Sequence, residues 1–388
     1  MKNQLEKLSF FDYIIIGSGL SGLQLAMQME DDIYFKNKKV AIFDKELKNT
    51  NDKTFCFWEQ MNGKWDNCVD SSWNKTIFKN SKHHLEIDLN TYNYKKINSI
   101  DFYNYCKKKL SSSNTFSFFT EKVITVNEAN NKAIVITETD KKYSCTHVFD
   151  SRLEKSIEAI KKETIYISQS FKGWVIKTTK PTFETDIFTM MDYSHTWKKS
   201  TSFMYILPKN STEALFEYTF FAPFTIKNNE FDSQIKTYID QNYPNIKYKI
   251  TEIEQGVIPM TTYKFQKHNK STLTKIGIAG GWAKASSGYS FKFAEKNSAA
   301  IVNQIKNNET PTGYKKSKRF YFYDKLLLKI LAYDNNKGPS MFFDMYKKTD
   351  IKLLLRFLDE ETSFFEEVKI ISRLTPWPFL KALFTKIK

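Results

Sequence analysis

A glycine-rich turn between a short strand and a helix limits the fold of this chain more than any other feature. The apolar, β-branched run Asp12–Ile16 is followed by Gly17, Gly19 and Gly22, and apolar residues then recur at helical spacing from Leu23 onwards. In dinucleotide-binding units the first glycine permits the tight turn, the second lets the backbone approach a pyrophosphate, and the third lets the helix pack closely on the strand. The helix N-terminus then offers unpaired N–H groups to the phosphates.

A second apolar run, Val40–Phe43, ends at Asp44, which lies 22 residues after Gly22. An acidic residue at this place in such folds accepts a hydrogen bond from a ribose hydroxyl. The glycine spacing by itself has an alternative, an ordinary glycine-rich turn between strand and helix. Strand, glycines, helix, second strand and acid together predict a Rossmann-like domain, which could bind NAD or FAD.

The rest of the chain divides into regions of different pattern. We predict an α/β fold in which residues 1–160 and 266–310 form the dinucleotide-binding domain, residues 161–265 form an inserted β-rich domain, and residues 311–388 are helical. The predicted strands include Val123–Val126 and Ala133–Thr137 as a hairpin, Ser202–Leu207, Ala214–Phe221, Gly256–Thr262 and Lys275–Ala279. The helical spacing of Phe291–Ile305 predicts a return to the first domain, and a capping box at Ser363–Glu366 predicts the start of the last long helix.

The composition excludes several classes of protein. Aromatic residues make up 16% of the 388 residues, so the chain is not disordered. Apolar runs fall short of the roughly 18 residues that a membrane-spanning helix needs, and Met1–Phe11 lacks the pattern of a secretory signal. The four cysteines lie far apart without metal-binding spacing and only five histidines are present, which predicts reduced thiols in a cytosolic protein without a metal site.

The chain is strongly basic, with 59 Lys and Arg against 43 Asp and Glu and a formal net charge of +16. Only four of the basic residues are Arg, and Asn is also abundant, as expected of a surface encoded by an AT-rich genome. Proteins that bind nucleic acid usually depend on the bidentate Arg side chain, so we expect no nucleic-acid partner. An anionic surface is compatible with the charge.

Six sequence blocks outside the glycine turn add to this pattern: Asn51–Glu59, Phe149–Arg152, Glu254–Thr261, Gly277–Phe291, Leu355–Thr362 and Trp377–Phe384. Together these blocks resemble the bacterial lycopene β-cyclase family of flavoproteins, over nearly the whole chain. The resemblance implies an isomerase that uses reduced FAD without net oxidation of its substrate, with NAD(P)H as the source of electrons. The substrate it implies is lycopene, whose open ends are folded into β-rings to give γ-carotene and then β-carotene.

The resemblance and the glycine turn together predict where FAD lies. The candidate FAD-binding residues are Gly17, Gly19, Gly22, Asp44, Arg152, Gly280, Gly281 and Gly288. The later glycine turns would bring backbone N–H groups to the isoalloxazine, where the following helix favours negative charge; a plain loop is the alternative. Asp52, Trp58, Glu59 and Trp282 are expected beside the flavin or substrate, against the alternative of a turn with a buried Trp.

Cyclisation of a polyene requires a general acid, a group that stabilises positive charge, and a dry apolar cavity. Glu217 is the candidate acid, because strand alternation places it with Leu215, Thr219 and Phe221 on one face of an apolar strand. Burial would raise its pKa and keep it protonated; a solvated Glu on an edge strand is the alternative. Glu217 matches the family's catalytic carboxylate, whereas Tyr218 stands where family members often carry a second acid, so this chain departs from a paired-carboxylate site there.

The C-terminal segment Trp377–Lys388 is amphipathic, with lysines beyond both sides of a 140° arc that contains Phe379, Leu380, Leu383, Phe384 and Ile387. This pattern predicts a helix on the inner face of the cell membrane, and a helix packed on the protein core is the alternative. We expect no stable protein partner. Two other functions share this fold: a flavin-dependent monooxygenase or dehydrogenase acting on an apolar substrate, and a flavin-binding or membrane-associated protein without catalysis.

Overall fold

The computed structural model describes residues 8–60 and 62–385, and the following elements lie within them. The strands are β1 Ser9–Ile16, β2 Val40–Asp44, β3 Thr54–Gln60, β4 Ser71–Trp73, β5 Lys75–Lys79, β6 His84–Asp88, β7 Tyr92–Asn98, β8 Phe116–Thr120, β9 Val123–Ala129, β10 Lys132–Thr137, β11 Lys142–Asp150, β12 Tyr166–Thr178, β13 Ile187–Asp192, β14 Ser202–Asn210, β15 Glu213–Ala222, β16 Tyr248–Thr261 and β17 Leu273–Lys275. The helices are α1 Leu20–Glu30, α2 Ser99–Ser111, α3 Ile157–Glu163, α4 Asn228–Asn242, α5 Phe291–Lys306, α6 Lys318–Tyr333, α7 Gly338–Lys348, α8 Ile351–Leu358, α9 Phe364–Ile371 and α10 Pro376–Phe384.

The first sheet has the order β8-β2-β1-β11-β10-β9, with β17 also paired to β11, and the pairs among β8, β2, β1, β11 and β17 are parallel. Alternate residues of β1 belong to two different hydrophobic cores, one on each face of the sheet, because successive side chains of a strand point to opposite faces. Ile15 packs with residues of α1, α2 and α5, and Ile14 packs with residues of the β9–β10 hairpin. The α/β class with a Rossmann-like domain is thereby confirmed, including the hairpin and α5.

The second sheet has the order β16-β12-β15-β14-β13-β5-β6, and its pairs are antiparallel apart from β13 with β5. One face of β15, with Leu215 and Phe221, packs against the C-terminal helices. The other face, with Phe216 and Tyr218, packs against α4. Two of the seven strands, β5 and β6, come from outside the predicted range 161–265. The pairing of β5 with β13 depends on contacts distant in sequence, and β6 joins the sheet through β5.

Several predicted elements differ in length from the structure; the strand predicted over Gly256–Thr262, for example, spans Tyr248–Thr261. The strand expected over Lys275–Ala279 ends at Lys275, because Gly277 adopts a positive φ of 61° and the chain enters a single helical turn. The capping box at Ser363 is present, but the helix that it opens ends at Ile371 and α10 begins separately at Pro376. A proline disfavours helical conformation in the residue before it, which explains the break. None of the helices in the described ranges has the length and hydropathy to cross a bilayer.

Candidate active site

A mostly apolar cavity of about 600 Å³ lies between the second sheet and the C-terminal helices. One end reaches Asp52, Gly288 and the N-terminus of α5, and the other end reaches α6 and α10. The side chains that make its wall apolar include Phe171, Phe203, Phe221, Phe342, Tyr346 and Leu358. Such a wall suits a hydrocarbon ligand and keeps water away from charged groups within it.

Glu217 points into this cavity from β15, which lies between β12 and β14 and is therefore not an edge strand. The side chain is 9% exposed, and the Thr219 hydroxyl donates a 2.7 Å hydrogen bond to Glu217 Oε1. Burial, and then the charge of Glu254, raise the pKa of Glu217 well above its usual value. The raised pKa favours the protonated form of the carboxyl group, which a general acid requires.

Glu254 on β16 provides a second carboxyl group that the sequence did not identify. In the registers of both neighbouring strands, Gly173 of β12 is the residue opposite Glu217 and also the residue opposite Glu254. A Cβ atom at Gly173 would lie 3.2 Å from Glu254 Cγ and 3.4 Å from Glu217 Cβ. The missing side chain therefore lets two acids on non-adjacent strands approach across the strand between them.

The neighbouring Glu254 carboxyl group contributes to the raised pKa of Glu217, after the larger effect of burial. Glu254 Oε2 accepts a 2.6 Å hydrogen bond from the Thr54 hydroxyl. Glu254 Oε1 is buried and lacks a hydrogen-bond partner among the described residues. A protonated Glu217 can donate to that oxygen, in agreement with the raised pKa of Glu217.

Tyr218 lies on the opposite face of β15, where its hydroxyl is 3.1 Å from the His195 carbonyl and from Ser202 Oγ. Tyr218 thus stands outside the cavity, and its presence in place of an acid leaves Glu254 as a second acid beside Glu217. Glu254 stands in one of the blocks that carry the resemblance, but only the strand register and the gap at Gly173 place it beside Glu217.

Three tyrosine hydroxyls form a chain beside the acid pair. Tyr205, which is opposite Glu217 on β14, donates a 2.8 Å hydrogen bond to Tyr94, and Tyr94 lies 3.2 Å from the Tyr289 hydroxyl. Burial raises the pKa of all three hydroxyls, and it raises the pKa of the nearby Cys56 thiol to about 12. These groups stay neutral and present aromatic rings to the cavity.

The glycine turn has the shape that a pyrophosphate needs. Gly17 has a φ of 106°, and a side chain on Gly22 would collide with the Gly17 carbonyl, so the fold itself requires both. At Gly19 a Cβ atom would meet no atom within 4 Å. The space beside Gly19, at the uncapped N-terminus of α1, is thus open for a ligand rather than filled by protein.

Two predicted cofactor residues already have partners in the protein. The Asp44 carboxylate accepts 2.7 Å and 2.9 Å hydrogen bonds from the backbone N–H and hydroxyl of Ser18, at the edge of the glycine turn. The Arg152 guanidinium makes two 2.9 Å hydrogen bonds to Asp150, which lower the pKa of that carboxyl, and a third to the Val123 carbonyl. Their contacts with a cofactor stay predictions.

The cavity end near α5 also has the features of a flavin site. Gly281 and Gly288 have φ values of 70° and 73°, and a side chain on Gly288 would collide with Gln169. Gln169 Oε1 and Ser287 Oγ are buried polar atoms of this wall that lack partners in the described chain. No side chain caps the N-terminus of α5, which favours negative charge there. The residues present therefore fit the polar edge of an isoalloxazine ring.

Four further residues predicted near the flavin or substrate lie at different depths. Asp52 is in the cavity wall and accepts hydrogen bonds from Ser99 and Tyr103. Trp58 lies behind the cavity wall, with its ring centroid 4.7 Å from that of Tyr289, a residue of the wall. The remaining two have structural partners. Glu59 forms a 2.9 Å ion pair with Lys95. Trp282 is 3% exposed beside Gly280, in the hydrophobic core that Ile15 forms with α1, α2 and α5.

A family model described as "Lycopene cyclase protein" matches residues 12–384. The chain belongs to the lycopene cyclase family. The predicted resemblance is confirmed, since the match spans nearly the whole sequence. No curated protein matches the chain in sequence.

Solved structures of flavoproteins share the fold of this lycopene cyclase family member. A geranylgeranyl bacteriochlorophyll reductase-like protein from Thermoplasma acidophilum has a TM-score of 0.61 at 11% identity, with 96% of this chain and 98% of that chain covered. A flavoprotein/dehydrogenase from Cytophaga hutchinsonii has a TM-score of 0.60 at 10% identity, with 90% and 93% covered. The halogenase PltM, in complex with phloroglucinol and FAD, has a TM-score of 0.55 at 8% identity, with 93% and 86% covered.

Proposed function

We propose that this protein is a lycopene β-cyclase, an isomerase that converts lycopene through γ-carotene to β-carotene with reduced FAD and without net redox change. The observation that carries the proposal is the pair Glu217 and Glu254 in an apolar cavity, where burial and the charge of Glu254 raise the pKa of Glu217. Ring closure of a polyene begins with protonation, which a buried acid with a raised pKa can supply.

Glu217 is the general acid in the proposed mechanism. Its proton passes to the terminal double bond of the polyene and leaves a tertiary cation, which the neighbouring alkene attacks to close the ring. Loss of one ring proton then forms the β-ring double bond. The pair accepts that proton and Glu217 is protonated again through its hydrogen bond to Glu254, so the proton count and the electron count are unchanged.

The surrounding groups stabilise the positive charge of the substrate. The rings of Tyr205, Tyr94 and Phe171 face the cavity, and aromatic faces attract cations by about 0.5–2 kcal/mol each. The Glu254 carboxylate adds a negative charge where water is excluded. Reduced FAD, when bound, supplies further negative charge next to the cation.

We propose that FAD is held non-covalently, with its pyrophosphate beside Gly19 and its isoalloxazine against Gly288, Gln169 and Ser287. The open space at Gly19, the orphaned polar atoms and the two uncapped helix N-termini support this placement. NAD(P)H is the proposed source of the electrons that reduce the flavin.

The direct test is to express the chain in cells that accumulate lycopene and to identify the pigment by chromatography and mass. We expect γ-carotene and β-carotene, whose masses equal that of lycopene because cyclisation is an isomerisation. Unchanged lycopene together with a soluble, flavin-loaded protein would contradict the proposal. A product that has lost hydrogen or gained oxygen would instead identify the monooxygenase or dehydrogenase.

A further inference from the structure

The substrate cavity opens on the surface between α6, α9 and α10. Four side chains of the C-terminal helices both line the cavity and are 41–46% exposed: Phe322, Ile371, Leu380 and Leu383. Two further lining residues, Val257 and Ile278, are 56% and 40% exposed and lie on β16 and beside Gly277, at the proposed flavin end. A residue with both properties stands where a cavity meets the outside, so the four on the C-terminal helices mark a mouth. The opposite end of the cavity lies at the proposed flavin site, which leaves this mouth as the route for the polyene.

Further large apolar side chains of α9 and α10 are exposed on the outer surface; two of them, Trp377 and Phe384, line an adjoining groove that shares Leu380 with the mouth. Phe365 on α9 is 83% exposed, and Trp377 and Phe384 on α10 are 75% and 84% exposed. Helical spacing puts Phe364, Val368 and Ile371 of α9 on one face, so that face continues from the mouth outwards. A surface of this kind in a soluble domain usually marks an interaction site.

The charged side chains beside the mouth that have no ion-pair partner within the described residues are basic. Glu366 and Glu367 of α9 are held by Arg356 at 2.6 Å and Arg319 at 2.8 Å. Lys369 and Arg373 are exposed and pair with no acidic side chain in the described ranges. An apolar face with unpaired cations at its edge complements a lipid surface with anionic headgroups.

We propose that α9 and α10 dock on an anionic bilayer around the cavity mouth, so that the membrane-binding surface is also the portal through which the polyene passes from lipid to Glu217. The proposal rests on the proposed function for the identity of the substrate. It assigns docking to α9 as well as to the C-terminal amphipathic helix; Lys386–Lys388 of that predicted helix lie outside the described residues. A second copy of this chain is the competing occupant of the face.

Docking is tested without substrate, by sedimentation with vesicles of phosphatidylcholine and phosphatidylglycerol. The variant Phe365→Asp/Phe384→Asp should bind at least about tenfold more weakly than the unaltered protein, because it exchanges two apolar side chains for charges that anionic lipid repels. The control Ile33→Asp/Ile124→Asp alters two exposed apolar residues elsewhere and should bind as before. Equal binding of all three proteins would overturn the docking surface, as would a dimer that only the first variant dissociates.

The portal is tested by ring formation from lycopene in vesicles and in detergent micelles. Leu383→Trp narrows the mouth and should lower kcat/KM at least about tenfold in both media while vesicle binding is unchanged. The control Phe384→Trp enlarges a neighbouring side chain outside the cavity wall and should keep kcat/KM. The double Asp variant should lose activity in vesicles only. An unchanged kcat/KM in Leu383→Trp would overturn the portal. Absence of rings with every protein in both media would refute the proposed function. In that case sedimentation with vesicles that contain no substrate would still test the docking surface.

Discussion

Gly173 allows two carboxyl groups on non-adjacent strands to approach each other. A side chain there would meet Leu215 Cδ1 at 2.8 Å and both glutamates at 3.2–3.4 Å, so it would push the acids apart. We predict that Gly173→Val folds and retains flavin but loses about 10²-fold or more in cyclisation rate, with a stability cost of about 1–3 kcal/mol from overpacking. Steady-state assays and thermal unfolding check this. Lys177→Val, at an exposed position of the same strand, is the control and should retain activity.

The charge of Glu254 raises the pKa of Glu217, so removing it changes the pH dependence of cyclisation in a defined direction. Glu217 is active when protonated, and activity is therefore lost as pH rises through its pKa. Glu254→Gln lowers that pKa, so the alkaline limb of the kcat/KM profile should move to lower pH. Glu252→Gln, on the same strand and exposed, should leave the profile unchanged. A profile that does not move in Glu254→Gln would remove Glu254 from the acid pair.

At the scale of elements, the glycine turn contains one glycine that the fold requires, Gly22, and one that only a bound ligand would require, Gly19. A side chain at Gly19 meets no protein atom within 4 Å, whereas one at Gly22 collides with the Gly17 carbonyl. We predict that Gly19→Val folds with an unchanged unfolding temperature measured without flavin, yet binds no FAD. Gly22→Val should instead destabilise the domain. Absorbance of released flavin and thermal unfolding distinguish these outcomes, and full FAD content in Gly19→Val would contradict the proposed pyrophosphate position.

The C-terminal end of α8 contains a titratable group buried against β3. Burial raises the pKa of Asp359 from 3.8 to about 7, and the Trp58 indole donates a 2.8 Å hydrogen bond to it. Between these two values the unfolded chain has lost the proton that the folded chain keeps, so the free energy of unfolding falls as pH rises through this window. Asp359→Asn should remove this slope and gain up to about 4 kcal/mol above pH 7. Thermal unfolding at several pH values tests this, with the exposed Asp186→Asn as the control.

Local patterns predict the elements that local contacts determine, and fail where distant strands meet. The glycine turn, the β9–β10 hairpin and α5 follow from spacing within one segment. The joining of β5 to β13 does not, because it depends on a parallel register between segments about a hundred residues apart. Glu217 was identified from alternation within its own strand, whereas Glu254 needed two registers and the gap at Gly173.

For the whole molecule, the arrangement places the acid pair between the proposed flavin site and the proposed mouth among the C-terminal helices. The first sheet supplies the proposed cofactor end, the second sheet supplies Glu217 and Glu254, and the C-terminal helices close the cavity. In the proposed reaction each part meets a different demand: charge stabilisation, proton transfer, and exclusion of water from an apolar substrate.

The central claim is that Glu217 protonates the polyene, and cyclisation in deuterated water tests it most directly. Lycopene in vesicles is incubated anaerobically with the flavin-loaded protein and NADPH, and the mass of each product is measured. We predict one solvent deuterium for every ring formed, on the side of the ring that carries the geminal methyl groups. Glu217→Gln should keep FAD and its unfolding temperature but form no rings. Rings without solvent deuterium, or rings formed by Glu217→Gln at near the original rate, would contradict the account.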